Sequence, residues 1–162
     1  MTFLRVIKPN YVIIPLLVII VSVVGSFFTS QGVNDWYQTL KLPSWTPSGE
    51  VIGLVWTVIF VLTAISALIF WNTSRKTSTF GIIVLIFLVN GFLNILWSYI
   101  FFDLNLILVA FFEAILLCLS TVALIILLWP VSKTASLLLF PYAAWVGFAS
   151  YLTLTIWQLN FA

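Results

Sequence analysis

The sequence predicts an all-α integral membrane protein, a five-transmembrane-helix bundle, and three observations lead there. Of the 162 residues, 64% are hydrophobic and only 6% are charged, whereas a soluble domain carries about 25% charged residues. Five apolar runs reach the roughly 20 residues that a helix needs to cross a hydrocarbon core. The basic residues gather on alternate connections, as they do in chains whose cytoplasmic loops collect Lys and Arg.

The first run covers about 10–28. It is too long for a signal peptide and lacks a small-residue cleavage site, so it reads as a retained span. Residues 29–48 hold Pro, Gly and charge and read as a loop. The second run covers 49–72, with Gly49 and Gly53 as start-of-helix or close-packing residues, and the polar stretch TSRKTST (73–79) ends it. The third (80–102), fourth (105–129) and fifth (134–160) are divided by the joints Asp103-Leu104-Asn105 and Pro130-Val131-Ser132-Lys133. Joints this short force neighbouring helices to lie antiparallel. Helix is the assignment throughout, because backbone polar groups in lipid must be satisfied within their own segment. No run alternates with the period of a barrel strand. The whole of 1–162 is expected to be one membrane domain.

Five crossings place the termini on opposite sides. Arg5, Lys8, Arg75, Lys76 and Lys133 fall on the N-terminal side and Lys41 alone on the other. The N-terminus is therefore expected in the cytoplasm, and the 29–48 loop and C-terminus outside. A net charge of +2 on dispersed residues points to no nucleic-acid partner. One cysteine, Cys118, and no His leave no disulfide framework, no Cys/His metal site and no His-based acid–base or nucleophile pair. No metal or cofactor is expected. Five spans do not divide into inverted halves, and no phosphate-binding glycine loop is present.

Polar groups inside spans mark where helices meet each other or a cavity. In the third span Asn90, Asn94, Trp97 and Phe101 share one helical face, with Ser98 beside them. Trp56, Phe60, Thr63 and Ala67 do so in the second span. In the fifth, Tyr142, Trp145, Ala149 and Thr153 form a stripe flanked by Gly147 and Ser150. Three stripes converging would make a pocket floored by amides and walled by indoles; helix packing alone accounts for the same pattern, and both readings stay open here. Glu113 is the one carboxylate well inside a span. It reads either as a proton or cation site or as a protonated group bonded to a neighbouring Ser, Thr or Asn. Trp36, Trp45 and Trp157 lie near span ends, where interfacial tryptophans gather.

The segment WYQTLKLPSWTP (36–47), with GLVWTVIF (53–60), NILWSYIFF (94–102), LLLFPYAAW (137–145) and GFASYL (147–152), resembles the translocator protein family, also called tryptophan-rich sensory protein, TspO, or the peripheral benzodiazepine receptor. The blocks keep the family's order over about 36–158. The resemblance implies a pocket under the loop between the first two helices. It implies binding of porphyrins such as protoporphyrin IX and of isoquinoline or benzodiazepine ligands, and assembly as a homodimer. Light-dependent porphyrin degradation, known in some bacterial members, would use Trp56 and Trp145. Tyr37 and Pro43 would line the pocket mouth, Asn94, Trp97 and Ser98 the third-helix wall, and Ala149 and Ser150 the fifth-helix wall. Phe60 and Asn90 join this set from the stripes. Proton-coupled export through Glu113 is a further reading. Two departures stand out. Ser48 replaces the second Pro of the usual PxWxPP, which is expected to loosen the entry to the second helix. No basic residue follows Tyr151, so the pattern proposed for cholesterol is missing; a member in a bacterial plasma membrane is expected.

Overall fold

The computed structural model describes residues 8–162; Arg5, counted in the orientation above, lies outside them. The described chain contains α1 (Asn10–Gly32), a 3-10 turn (Trp36–Thr39), α2 (Gly49–Thr73), α3 (Phe80–Ser98), a π-helical turn (Tyr99–Asp103), α4 (Ile107–Leu128), α5 (Lys133–Leu137) and α6 (Phe140–Phe161). Five helices, counting α3 with its π turn and α5 with α6, are long and apolar enough to span a bilayer. Their outer faces carry large exposed side chains such as Leu54, Phe92, Phe112 and Ile126, which suits a lipid surround.

Three boundaries differ from the sequence reading, each for a local reason. The helix α1 continues through Thr29–Gly32, because Ser, Thr and Gln end a hydropathy run without breaking a helix, and Thr29 Oγ1 donates back to the Gly25 carbonyl at 3.0 Å. The expected single fifth helix is broken at Leu138–Leu139. Pro141 sits in the first turn of α6, where its missing N–H costs nothing but where it clashes with any helix continuing from before it. Ser48 does not loosen the start of α2. Its side chain accepts from the Val51 N–H as an N-cap, and Glu50 lies in the first turn, where the helix dipole favours an acid.

The packing order is α1–α3–α4–α6, with α2 leaning on α1 and α5 while standing apart from α6. At the basic end, Phe70, Ile83, Leu124, Leu128, Ala135 and Leu139 form one core cluster. Ser66 Oγ donates to the Ala135 carbonyl and Ser136 Oγ to the Ile125 carbonyl, both at 2.7 Å, so α5 is tied to α2 and α4. At the opposite end, Ile100, Phe101, Ile107, Ala110, Leu152 and Ile156 form a second cluster. The π turn, closed by Leu104 N–H to the Tyr99 carbonyl at 3.0 Å, adds a residue to the helix and turns both Phe101 and Phe102 toward the interior. Asn105, with φ 59°, reverses the chain into α4; Asn tolerates this left-handed conformation better than other side-chain-bearing residues.

The contact that sets α1 against this turn is glycine-dependent, since a Cβ at Gly32 would collide with the Phe102 carbonyl oxygen. Gly32→Ala is expected to destabilise the bundle by about 1–3 kcal/mol, read as thermal unfolding in detergent micelles. Gly81→Ala, where an added Cβ meets nothing within 4 Å, should leave stability unchanged or slightly raised.

Candidate functional site

Because α2 stands off α6, the half of the bundle nearest the 33–48 loop encloses a cavity of about 770 Å³. Of the residues expected at a site, Tyr37, Pro43, Trp56, Phe60, Asn94, Trp97, Ser98, Trp145 and Ala149 line it. Its walls divide by chemistry. Trp56 stacks on Phe60 with centroids 5.6 Å apart and meets Tyr142 edge-on at 6.0 Å. Trp97 stacks on Phe101 at 5.0 Å, and Trp145 packs against Phe148 at 5.3 Å.

Two expected residues are not in the cavity wall. Asn90 is turned toward α4, where its Nδ2 donates to Ser120 Oγ at 2.8 Å and Thr121 Oγ1 at 3.0 Å. Its Oδ1 accepts from the Tyr142 hydroxyl at 3.0 Å. Ser150, one position beyond Ala149, is rotated about 100° away from the wall and donates to the Val146 carbonyl at 2.7 Å. Asn94 lies between these roles: its Nδ2 donates to the Tyr142 hydroxyl at 3.2 Å while the residue also faces the cavity. One tyrosine hydroxyl thus serves two asparagines, so part of the amide stripe packs helices and part lines the pocket.

The loop is a lid held at two points on α6. Asn160 accepts from the Lys41 N–H at 2.9 Å and donates to the Lys41 carbonyl at 3.0 Å, imitating a backbone pairing. Trp45 stacks on Tyr151 with centroids 5.5 Å apart and planes at 9°. Pro43 opens a turn closed by Thr46 N–H to its carbonyl at 3.0 Å. Trp36 meets Phe101 edge-on at 5.5 Å, so it is part of the bundle's end rather than a free interfacial ring. Tyr37 lies against Phe101 and Phe102, and burial raises its phenol above the ordinary value, keeping the hydroxyl neutral at the mouth.

Glu113 is 5% exposed, and neither carboxyl oxygen has a hydrogen-bond partner among the described residues. The bonded alternative of the sequence reading is not seen, because Ser120 and Thr121 serve Asn90 instead. Among the described residues no group of His, Cys, Asp or Glu forms a metal site. Sequence reasoning missed the α1 wall altogether: Ser22, Gly25, Ser26, Thr29 and Ser30 line the cavity. The only signal was a run of small hydroxyl residues near the end of an apolar span.

Comparison with known proteins agrees with this architecture. The model of the TspO/MBR family matches residues 12–158. The tryptophan-rich protein TspO of Archaeoglobus fulgidus is 39% identical over 150 residues, covering 90% of this chain and 93% of the relative. That of Bacillus cereus is 37% identical over 141 residues, covering 84% and 90%. The human translocator protein is 28% identical, covering 85% and 82%.

Tyr142→Phe removes the hydroxyl that joins Asn90 to Asn94 and leaves buried amide groups unpaired. It is expected to cost about 1–3 kcal/mol, measured as a lower unfolding midpoint in micelles. Asn160→Ala should speed hydrogen exchange at the Lys41 amide while leaving amides of α3 and α4 protected.

Proposed function

Because the chain belongs to the TspO/MBR family, we propose that it is a membrane receptor or carrier that takes a porphyrin, or another flat aromatic molecule, into the cavity under the lid. The observation that carries this reading is the pairing of shape and chemistry. A space of about 770 Å³ falls within the range of small-molecule sites. It is faced by the rings of Trp56, Phe60, Trp97, Trp145 and Phe148, on which a planar π-system stacks. Asn94 offers a polar group at the same wall. Lys8, Arg75, Lys76 and Lys133 lie at the end opposite the lid, with Lys41 alone at the lid end; this distribution supports a lid on the outer face of a bacterial plasma membrane.

A second reading, light-driven oxidation of the bound macrocycle by oxygen, has one observation in its favour: two indoles, Trp56 and Trp145, stand on the walls of the same cavity.

Protoporphyrin IX added to purified protein is expected to quench tryptophan emission in a saturable way. Trp56→Phe and Trp145→Phe should each weaken binding about three- to tenfold, the scale of one lost aromatic stack. Unchanged affinity in both variants would remove the cavity as the binding site. Illumination of the complex under oxygen separates the two readings: a new product spectrum, lost in the tryptophan variants, marks catalysis, and an unchanged spectrum marks binding alone.

A further inference from the structure

We propose that the α1 side of the cavity is a hydrogen-bonding edge that selects planar ligands carrying carboxyl groups over ligands of the same shape without them. The proposal rests on the cavity being the ligand site and adds which edge of the ligand faces which wall.

Aromatic rings in the cavity wall come from α2, α3 and α6, whereas α1 contributes the hydroxyl residues Ser22, Ser26, Thr29 and Ser30. Ser and Thr hydroxyls in membrane helices usually satisfy themselves by donating to a carbonyl one turn back. Thr29 does so to Gly25 and Ser30 bonds to the Phe27 carbonyl. Ser22 and Ser26, one turn apart on the same face, make no hydrogen bond among the described residues. Ser22 is half-buried and Ser26 exposed, and neither hydroxyl is spent on the backbone, so both are available to whatever fills the space.

A second observation comes from a different helix. Ser98 of α3 is only 8% exposed, lines the same cavity and also makes no hydrogen bond among the described residues. Its hydroxyl meets α1 at Gly25: a Cβ built there would lie 3.5 Å from Ser98 Oγ. Gly25 is three residues from Ser22 and adjacent to Ser26, so the three free hydroxyls gather around one crossing of α1 and α3. A side chain as small as a methyl at Gly25 would only just touch the Ser98 hydroxyl, so the α3 hydroxyl lies close against this edge.

Among the described residues no Lys or Arg lines the cavity. Recognition of a carboxyl at this edge therefore works through neutral O–H donors, which distinguish a ligand that offers acceptors from one that offers none. A macrocycle whose flat face lies on the Trp56 and Trp145 side would present its acidic substituents to Ser22, Ser26 and Ser98.

The test compares two porphyrins of similar size, protoporphyrin IX with two carboxyl groups and octaethylporphyrin with none, against wild type, Ser22→Ala/Ser26→Ala and Ser98→Ala in lipid nanodiscs. The double variant is expected to lose about tenfold in affinity for protoporphyrin IX, the scale of two hydrogen bonds, and to bind octaethylporphyrin as wild type does. Ser98→Ala should show a smaller loss of the same selectivity, and Ser26→Thr, which keeps the hydroxyl, should retain it. Retained octaethylporphyrin binding also reports that each variant is folded. Equal losses for both porphyrins, or no loss for either, would overturn the proposal while leaving the cavity as the ligand site. Failure of wild type to bind either porphyrin would overturn the proposed function and this selectivity with it.

Discussion

One tyrosine hydroxyl in the apolar interior holds three helices in register. Tyr142 of α6 donates to Asn90 and accepts from Asn94 on α3, and Asn90 reaches on to Ser120 and Thr121 of α4. In hydrocarbon no water replaces a lost partner, so such a network either closes completely or costs several kcal/mol. Its closure sets the spacing of α3, α4 and α6. The second helix makes no hydrogen bond in it; it is tied at the far end through Ser66 to α5 and meets α6 through the side chains of Trp56 and Ile59 at Tyr142. That difference leaves α2 apart from α6 on the lid side, where the cavity opens.

The lid follows the same economy of polar groups. A loop lying over apolar helices has backbone amides to satisfy, and Asn160 satisfies both polar groups of Lys41. Pro43 and Pro47 restrict the loop's conformations before it docks, which lowers the entropy lost in fixing it. Trp45 on Tyr151 then adds an apolar anchor. The loop is thus built as a fixed cover, and its aromatic content serves attachment as much as ligand contact.

Glu113 is the one carboxyl among the buried side chains that have no hydrogen-bond partner among the described residues. Eight residues along α4 from Thr121, about two turns, it falls at the level of Ser98, which lies eight residues from Asn90 on antiparallel α3. The network of Asn90, Asn94, Tyr142, Ser120 and Thr121 ends before reaching it. Among the described residues no Lys or Arg lies in the interior of a span to pair with it, Lys133 standing at the first residue of α5.

What the sequence determined by itself is the membrane character, the helical segments and the family. Each of these rests on composition, run length and local blocks, and each is insensitive to how the helices face one another. Asn94, Trp56 and Trp145 were legible as candidates because polar and indole groups inside a span need a reason to be there. The tertiary structure decided what one residue of offset does. Asn90 and Asn94 lie on one stripe, yet a single turn sends the first to α4 and leaves the second at the cavity. Ser150 turns away while Ala149 faces in. The hydroxyls of α1 gave no sign, because a serine in an apolar helix commonly bonds its own backbone and faces lipid without penalty. Only the crossing of α1 over α3 at Gly25, and the gap between α2 and α6, give those hydroxyls a space to line.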